Sequence, residues 1–130
     1  MVPHLRIARP TCRLRDLADQ YIEGLGFEVV GGFEEHDGFS GVMLGHPEAG
    51  WHLEFTHQLG TPPPKAPNEE HLLVFYLPDE DAFSAAVKRM KAADFVPVGP
   101  INPYWALNGR TFEDLDGYRV VLQNAAWPTP

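Results

Sequence analysis

Cys12 is the only cysteine in 130 residues. An intramolecular disulfide is therefore impossible, and zinc sites built from several thiolates are excluded. No apolar run approaches the ~20 residues a bilayer-spanning helix needs. The opening MVPHLRIARPTC carries no apolar segment of the kind that directs secretion, so a cytoplasmic protein is expected. Basic residues are scarce, 10 against 18 acidic, for a net charge of −8. They are also spread out: divided after Lys65, each half carries 5 Lys/Arg and 9 Asp/Glu. A nucleic-acid binder needs clustered cations to displace counterions, and an anionic membrane surface needs a basic patch. Neither partner is expected; a neutral or cationic one is accommodated more easily. The sequence also lacks G-x-x-x-x-G-K-[ST], H-E-x-x-H and G-x-S-x-G, so nothing points to a phosphate loop, a zinc protease or a serine hydrolase.

Proline, in contrast, is abundant, at 13 residues. Four prolines fall in QLGTPPPKAPNEE, residues 58–70. Consecutive prolines continue neither a helix nor a central strand and favour a stiff extended chain. The segment reads as a bridge near the middle of the chain, and its position prompts a search for an internal repeat.

The repeat lies in the order of elements. HLRIARP (4–10) alternates as a strand does. Leu14, Leu17, Ala18, Tyr21, Ile22 and Leu25 then recur at helical spacing, and Gly26 stands where a C-terminal cap belongs. Strands follow at FEVVGGFEE (27–35, with a glycine bulge or bend), FSGVMLGH (39–46) and WHLEFTHQ (51–58). After the bridge, HLLVFYLP (71–78) is a strand. Asp79 is a good N-cap for a helix with Phe83, Ala86, Val87 and Met90 as its apolar stripe and basic residues near its end. FVPVGP (95–100) is a short edge strand, and GRTFEDLDGYRVVLQN (109–124) is a hairpin turning at Leu115–Asp116–Gly117. The expected organisation is one domain: module one at 3–58, the bridge at 59–70 and module two at 71–126.

RLRDLADQYIEGLGFEVVGGFE, WHLEFTH and TFEDLDGYRVVL, in that order and spacing, resemble the vicinal oxygen chelate superfamily of glyoxalase I, bleomycin-resistance proteins and extradiol dioxygenases. The resemblance covers nearly the whole chain. It implies an α+β fold of two βαβββ modules forming a curled eight-stranded mixed sheet with helices on its outer face, and a homodimer. It also implies a divalent metal on inward-facing strand positions. Carried over residue by residue, the first-strand His is Arg6, the fourth-strand Glu is Glu54, the fifth-strand His is Leu72 and the eighth-strand Glu is Val121. Arginine is a permanent cation, and leucine and valine have no donor atoms. His71 stands beside Leu72, but a one-residue slip turns a strand side chain to the other face. No cofactor is therefore expected, with a rearranged site of His4, His52 and Glu54 as the alternative.

Alternation puts His52, Glu54 and Thr56 on one face of their strand and His4 and Arg6 on one face of theirs. An Arg6–Glu54 ion pair replacing the metal is expected, against the plainer alternative that Arg6 projects to solvent. His52-Leu53-Glu54 also echoes the His-x-Glu of zinc deaminases, but the required downstream Cys-x-x-Cys is absent. Tyr104 and Trp105, in a proline-flanked loop, are candidates to stack on a planar ligand, with Phe39, Met43, Tyr76 and Phe112 as apolar wall; ordinary packing is the alternative for each. Cys12 reads as incidental. The ligand-binding set is thus Arg6, His52, Glu54, Tyr76, Tyr104, Trp105 and Phe112. The implied function is binding of a small organic molecule, similar to the bleomycin-resistance branch. The alternative is a lyase, isomerase or dioxygenase, metal-dependent or using Glu54 as general base with His52. A third reading is a homodimeric domain acting through protein partners.

Overall fold

Two helix ends set the frame of the fold. Gly26 takes the left-handed conformation (φ 71°) and its N–H donates to the Ile22 carbonyl at 3.0 Å, closing α1 (Leu14–Leu25). Asp79 accepts from the Ala82 N–H at 2.8 Å and opens α2 (Glu80–Ala92), whose first turn is acidic and last turn basic. The computed structural model describes residues 1–128. Around these helices it places β1 (Leu5–Pro10), β2 (Glu28–His36), β3 (Phe39–Gly45), β4 (Trp51–Gln58), β5 (Leu72–Tyr76), β6 (Val96–Val98), a short α3 (Tyr104–Leu107), β7 (Gly109–Glu113) and β8 (Arg119–Gln123). The chain divides into two compact units: residues 1–22 with 26–64, and residues 23–25 with the chain from 65 onward.

The first unit holds a four-stranded mixed sheet in the order β1-β4-β3-β2, with β1 parallel to β4 and the other pairs antiparallel. Its register shifts between Val29 and Gly31 and again between Phe33 and His36, whereas Gly31 and Gly32 pair in regular step with Met43 and Val42, so the irregularity expected at the glycines falls beside them. Alternation along β4 sends Leu53 and Phe55 to the α1 side. There Tyr21 meets Phe55 edge-on, ring centroids 5.0 Å apart, and both are fully buried. Burying a side chain of that size contributes roughly 1.5–3 kcal/mol. The Tyr21 hydroxyl accepts from Arg9 Nη1 at 3.3 Å, which satisfies its polar end. The opposite face of the same strands carries Arg6 beside His52 and Ala8 beside Glu54.

The second unit repeats the scheme, with strand order β5-β8-β7-β6 and β5 parallel to β8. All five residues of β8 are buried, so the strand is covered on both faces. Val120 and Leu122 form one face with Phe112, which pairs with Val120; Arg119, Val121 and Gln123 form the other. The β7–β8 hairpin turns where its sequence signals a turn. The Asp114 carboxylate accepts from the Asp116 and Tyr118 N–H groups at 2.8 and 3.0 Å, and Gly117 takes φ 87°. Eight strands and the two main helices follow the expected order, and the strands form two four-stranded mixed sheets. The added element is α3. Its start is held by Asn102, whose side-chain oxygen accepts from the Tyr104 N–H at 3.0 Å.

Candidate functional site

Register explains why a cluster of polar groups assembles on the exposed face of the first sheet. The parallel β1–β4 pair sets Arg6 directly opposite His52, and Glu54 lies one step further along β4 on the same face. Arg6 Nη1 lies 3.5 Å from Glu54 Oε2, and Arg6 Nε donates to His52 Nε2 at 2.9 Å. That ring nitrogen therefore carries no proton. The proton sits on Nδ1, which lies 2.6 Å from His4 Nε2 and donates to it. The result is a directed chain from guanidinium to His52 to His4, with the two imidazole rings 4.8 Å apart. Glu54 is buried, its side chain 10% exposed, whereas the Arg6 side chain is 49% exposed. Arg6 thus lies over the carboxylate and still presents an edge outward. Desolvation by partial burial, then the Arg6 charge, then His4, hold the His52 imidazolium below its ordinary pKa, against the opposing pull of Glu54.

A divalent metal does not fit this arrangement. A metal ligand needs an unshared lone pair, and the His52 Nε2 lone pair points at a guanidinium that cannot itself ligate. Among the described residues no three His, Cys, Asp or Glu side chains are placed to hold a metal ion. The equivalent diagonal in the second unit is Leu72 on β5 and Val121 on β8, which offers no donor atoms.

The second unit contains its own polar feature, one the sequence reading missed. Arg119, 8% exposed at its side chain, donates to Glu113 and to Glu69, both at 3.0 Å, and to the Gly99 carbonyl at 3.3 Å. It borders a cavity of about 80 Å³ together with Leu72, Trp105 and Thr111. The Thr111 hydroxyl is buried and has no hydrogen-bond partner among the described residues. Alternation from Val121 would have placed Arg119 on that face.

Of the aromatic candidates, Trp105 reaches this small cavity, and Tyr104 is half exposed with its ring edge-on to Trp105 at 5.0 Å. Tyr76 packs near Trp127, centroids 5.9 Å apart. Phe112 is a correction: it is fully buried beside Val120 and offers no surface to a ligand. Phe39 is partly exposed at the start of β3, while Met43 pairs with Glu54 and so borders the Arg6 cluster.

Two βαβββ modules with this strand order place the chain in the vicinal oxygen chelate superfamily. Within it the chain belongs to the YycE-like family, matching the YycE-like N-terminal domain over residues 5–56 and the YycE-like C-terminal domain over residues 70–124. It is 41% identical to the uncharacterized protein YycE of Bacillus subtilis over 121 residues, covering 93% of this chain and 87% of that protein. The crystal structure of a YycE protein of unknown function from Bacillus subtilis superposes with a TM-score of 0.89 at 40% identity, covering 96% and 91% of the two chains. The trypanothione-dependent glyoxalase I of Leishmania major follows with a TM-score of 0.73, 21% identity and 93% and 85% coverage. The fosfomycin resistance protein FosX of Mesorhizobium loti has a TM-score of 0.68, 11% identity and 95% and 91% coverage. Identities this low speak for the fold alone.

Proposed function

We propose that this protein binds a small organic ligand on the β1–β4 face of its first unit, and that the Arg6 guanidinium stands there in place of the superfamily's divalent metal. The observation that carries the reading is the double engagement of Arg6, with Glu54 at 3.5 Å and His52 at 2.9 Å. A carboxylate left 10% exposed needs a counter-charge, and here a side chain supplies it. The outward edge of Arg6, the exposed His4 ring and Met43 beside Glu54 offer directional donors next to an apolar patch, suited to a partly aromatic molecule. The negative charge of the chain favours a neutral or cationic one.

The enzymatic alternative, a metal-free reaction with Glu54 as general base and His52 beside it, has less support. A base must offer its lone pair to the proton it takes, and the Arg6 guanidinium occupies His52 Nε2 and lies over Glu54 Oε2. A homodimer is part of the proposal and rests on the superfamily resemblance; light scattering behind a sizing column reads the dimer directly. Among the described residues no helix is long and apolar enough to cross a membrane.

A thermal-shift screen of divalent metals against aromatic, cationic and antibiotic-like compounds tests the reading. A ligand at a hundred times its dissociation constant stabilises the folded state by about 2.7 kcal/mol. Stabilisation by an organic compound, abolished by Arg6→Gln, is expected. Stabilisation by divalent metals alone would overturn the proposal.

A further inference from the structure

The other face of the first sheet holds a larger opening that the Arg6 cluster does not use. Val42 pairs with Phe55 and so lies on the α1 side, whereas the neighbouring Met43 pairs with Glu54 and lies on the cluster side. Between α1 and the β2–β3 strands on the Val42 side is a groove of about 730 Å³. Drug-sized ligands occupy cavities of roughly 300–1,000 Å³, mostly apolar with a few polar groups. Ala18 and Ile22 of α1 and Val29 and Val42 of the sheet give this groove an apolar lining. Its charged groups are unevenly balanced: Asp19, Glu34 and Glu35 against Arg15 alone. None of those three carboxylates is in an ion pair among the described residues. All three residues are solvent-exposed, so their charge is available to a ligand without a desolvation cost of the kind a buried carboxylate carries.

We propose that this groove is a second ligand site, taking a small organic cation with an apolar body. The apolar part lies along Ala18, Ile22 and Val42, and the charged part lies among Asp19, Glu34 and Glu35. The site is independent of the ligand proposed for the Arg6 face, because the two occupy opposite faces of one sheet.

Cys12 lines the groove, is exposed and is the only cysteine of the chain, so its alkylation rate reports on this site alone. The probes are octyltrimethylammonium, octyl sulfate and octyl glucoside, each below its micellar concentration, with iodoacetamide as the reagent. The ammonium probe is expected to slow alkylation at least tenfold at saturation, and the sulfate and glucoside less than twofold. Asp19→Asn, Glu34→Gln and Glu35→Gln together should abolish the protection. A control triple removing three carboxylates outside the groove, Glu23→Gln, Asp37→Asn and Glu48→Gln, should retain it. Equal protection by all three headgroups, no protection by the ammonium probe, or equal loss in both triple variants would each overturn the proposal.

Discussion

Arg6 and Glu54 should be energetically coupled, and a double-mutant cycle of Arg6→Gln, Glu54→Gln and the double variant measures the coupling. Their charged atoms lie 3.5 Å apart. Two unit charges at that distance attract by roughly 1 kcal/mol at the dielectric of water and by roughly 5 kcal/mol at an effective dielectric of 20. Glu54 is buried, which argues for the second figure, but Arg6 is 49% exposed and its guanidinium reaches water, which argues for the first. Ordering a long arginine side chain also costs rotamer entropy. A coupling of about 1–2 kcal/mol follows, above the ~0.2–1 kcal/mol of fully exposed pairs. The Arg6–His52 hydrogen bond is lost in every variant lacking Arg6, so it cancels in the cycle. Urea unfolding followed by both far-ultraviolet dichroism and tryptophan fluorescence gives the free energies. Trp51 reports on the first unit and Trp105 on the second, so coincident transitions check two-state behaviour. A coupling below about 0.3 kcal/mol, within the range in which independent sites add, would refute the idea that Arg6 is the counter-charge of Glu54.

Three further outcomes are expected. His52 is held below its ordinary pKa in the folded protein, so the unfolded chain binds the proton first as pH falls. Its contribution is intact above ~6.5 and is lost below it, down to the lowered folded value, and His52→Gln should flatten that part of a stability–pH curve measured by urea midpoints. Asp79→Ala removes the acceptor for the Ala82 N–H and should cost about 1 kcal/mol without changing ligand response in the thermal-shift assay. Phe112→Ala should cost about 3–5 kcal/mol in the same unfolding assay, as expected of a fully buried aromatic.

What the sequence discloses and what it hides follow from the range of the forces involved. The Gly26 cap, the Asp79 cap and the Asp114–Tyr118 turn are set by hydrogen bonds spanning four residues or fewer, so the residues that make them stand together in the chain. The meeting of Arg6 with Glu54 spans 48 residues, yet it was foreseeable, because alternation fixes which face each strand presents and the superfamily pattern supplies the pairing of first and fourth strands. The insertion of Arg6 Nε against His52 Nε2 was not, since side-chain rotamers carry no sequence signal. In β8 the failure has a different origin. A strand buried on both faces reads as an apolar run, and nothing in that run marks Arg119 as buried; Glu113 across the hairpin, Glu69 from the bridge and the Gly99 carbonyl together make its burial tolerable. Phe112 has the apolar character of a pocket wall, but its pairing with Val120 on the packed face of the sheet, which only the fold supplies, buries it completely.

The two units treat charge in parallel ways. In the first, a guanidinium on β1 is matched by a carboxylate on β4; in the second, a guanidinium on β8 is matched by carboxylates on β7 and on the bridge. Arg119 occupies the register position in its unit that His52 holds in the first, and Leu72 the position of Arg6. Each unit therefore sets one of its guanidinium groups against a carboxylate, with N–H groups that point in set directions. A guanidinium orients an oxygen or nitrogen acceptor through planar, directional hydrogen bonds, and it neither releases a proton at neutral pH nor exchanges its ligands. The ligand site proposed for the first unit rests on such a group, because the Arg6 side chain is 49% exposed while it is engaged with Glu54 and His52.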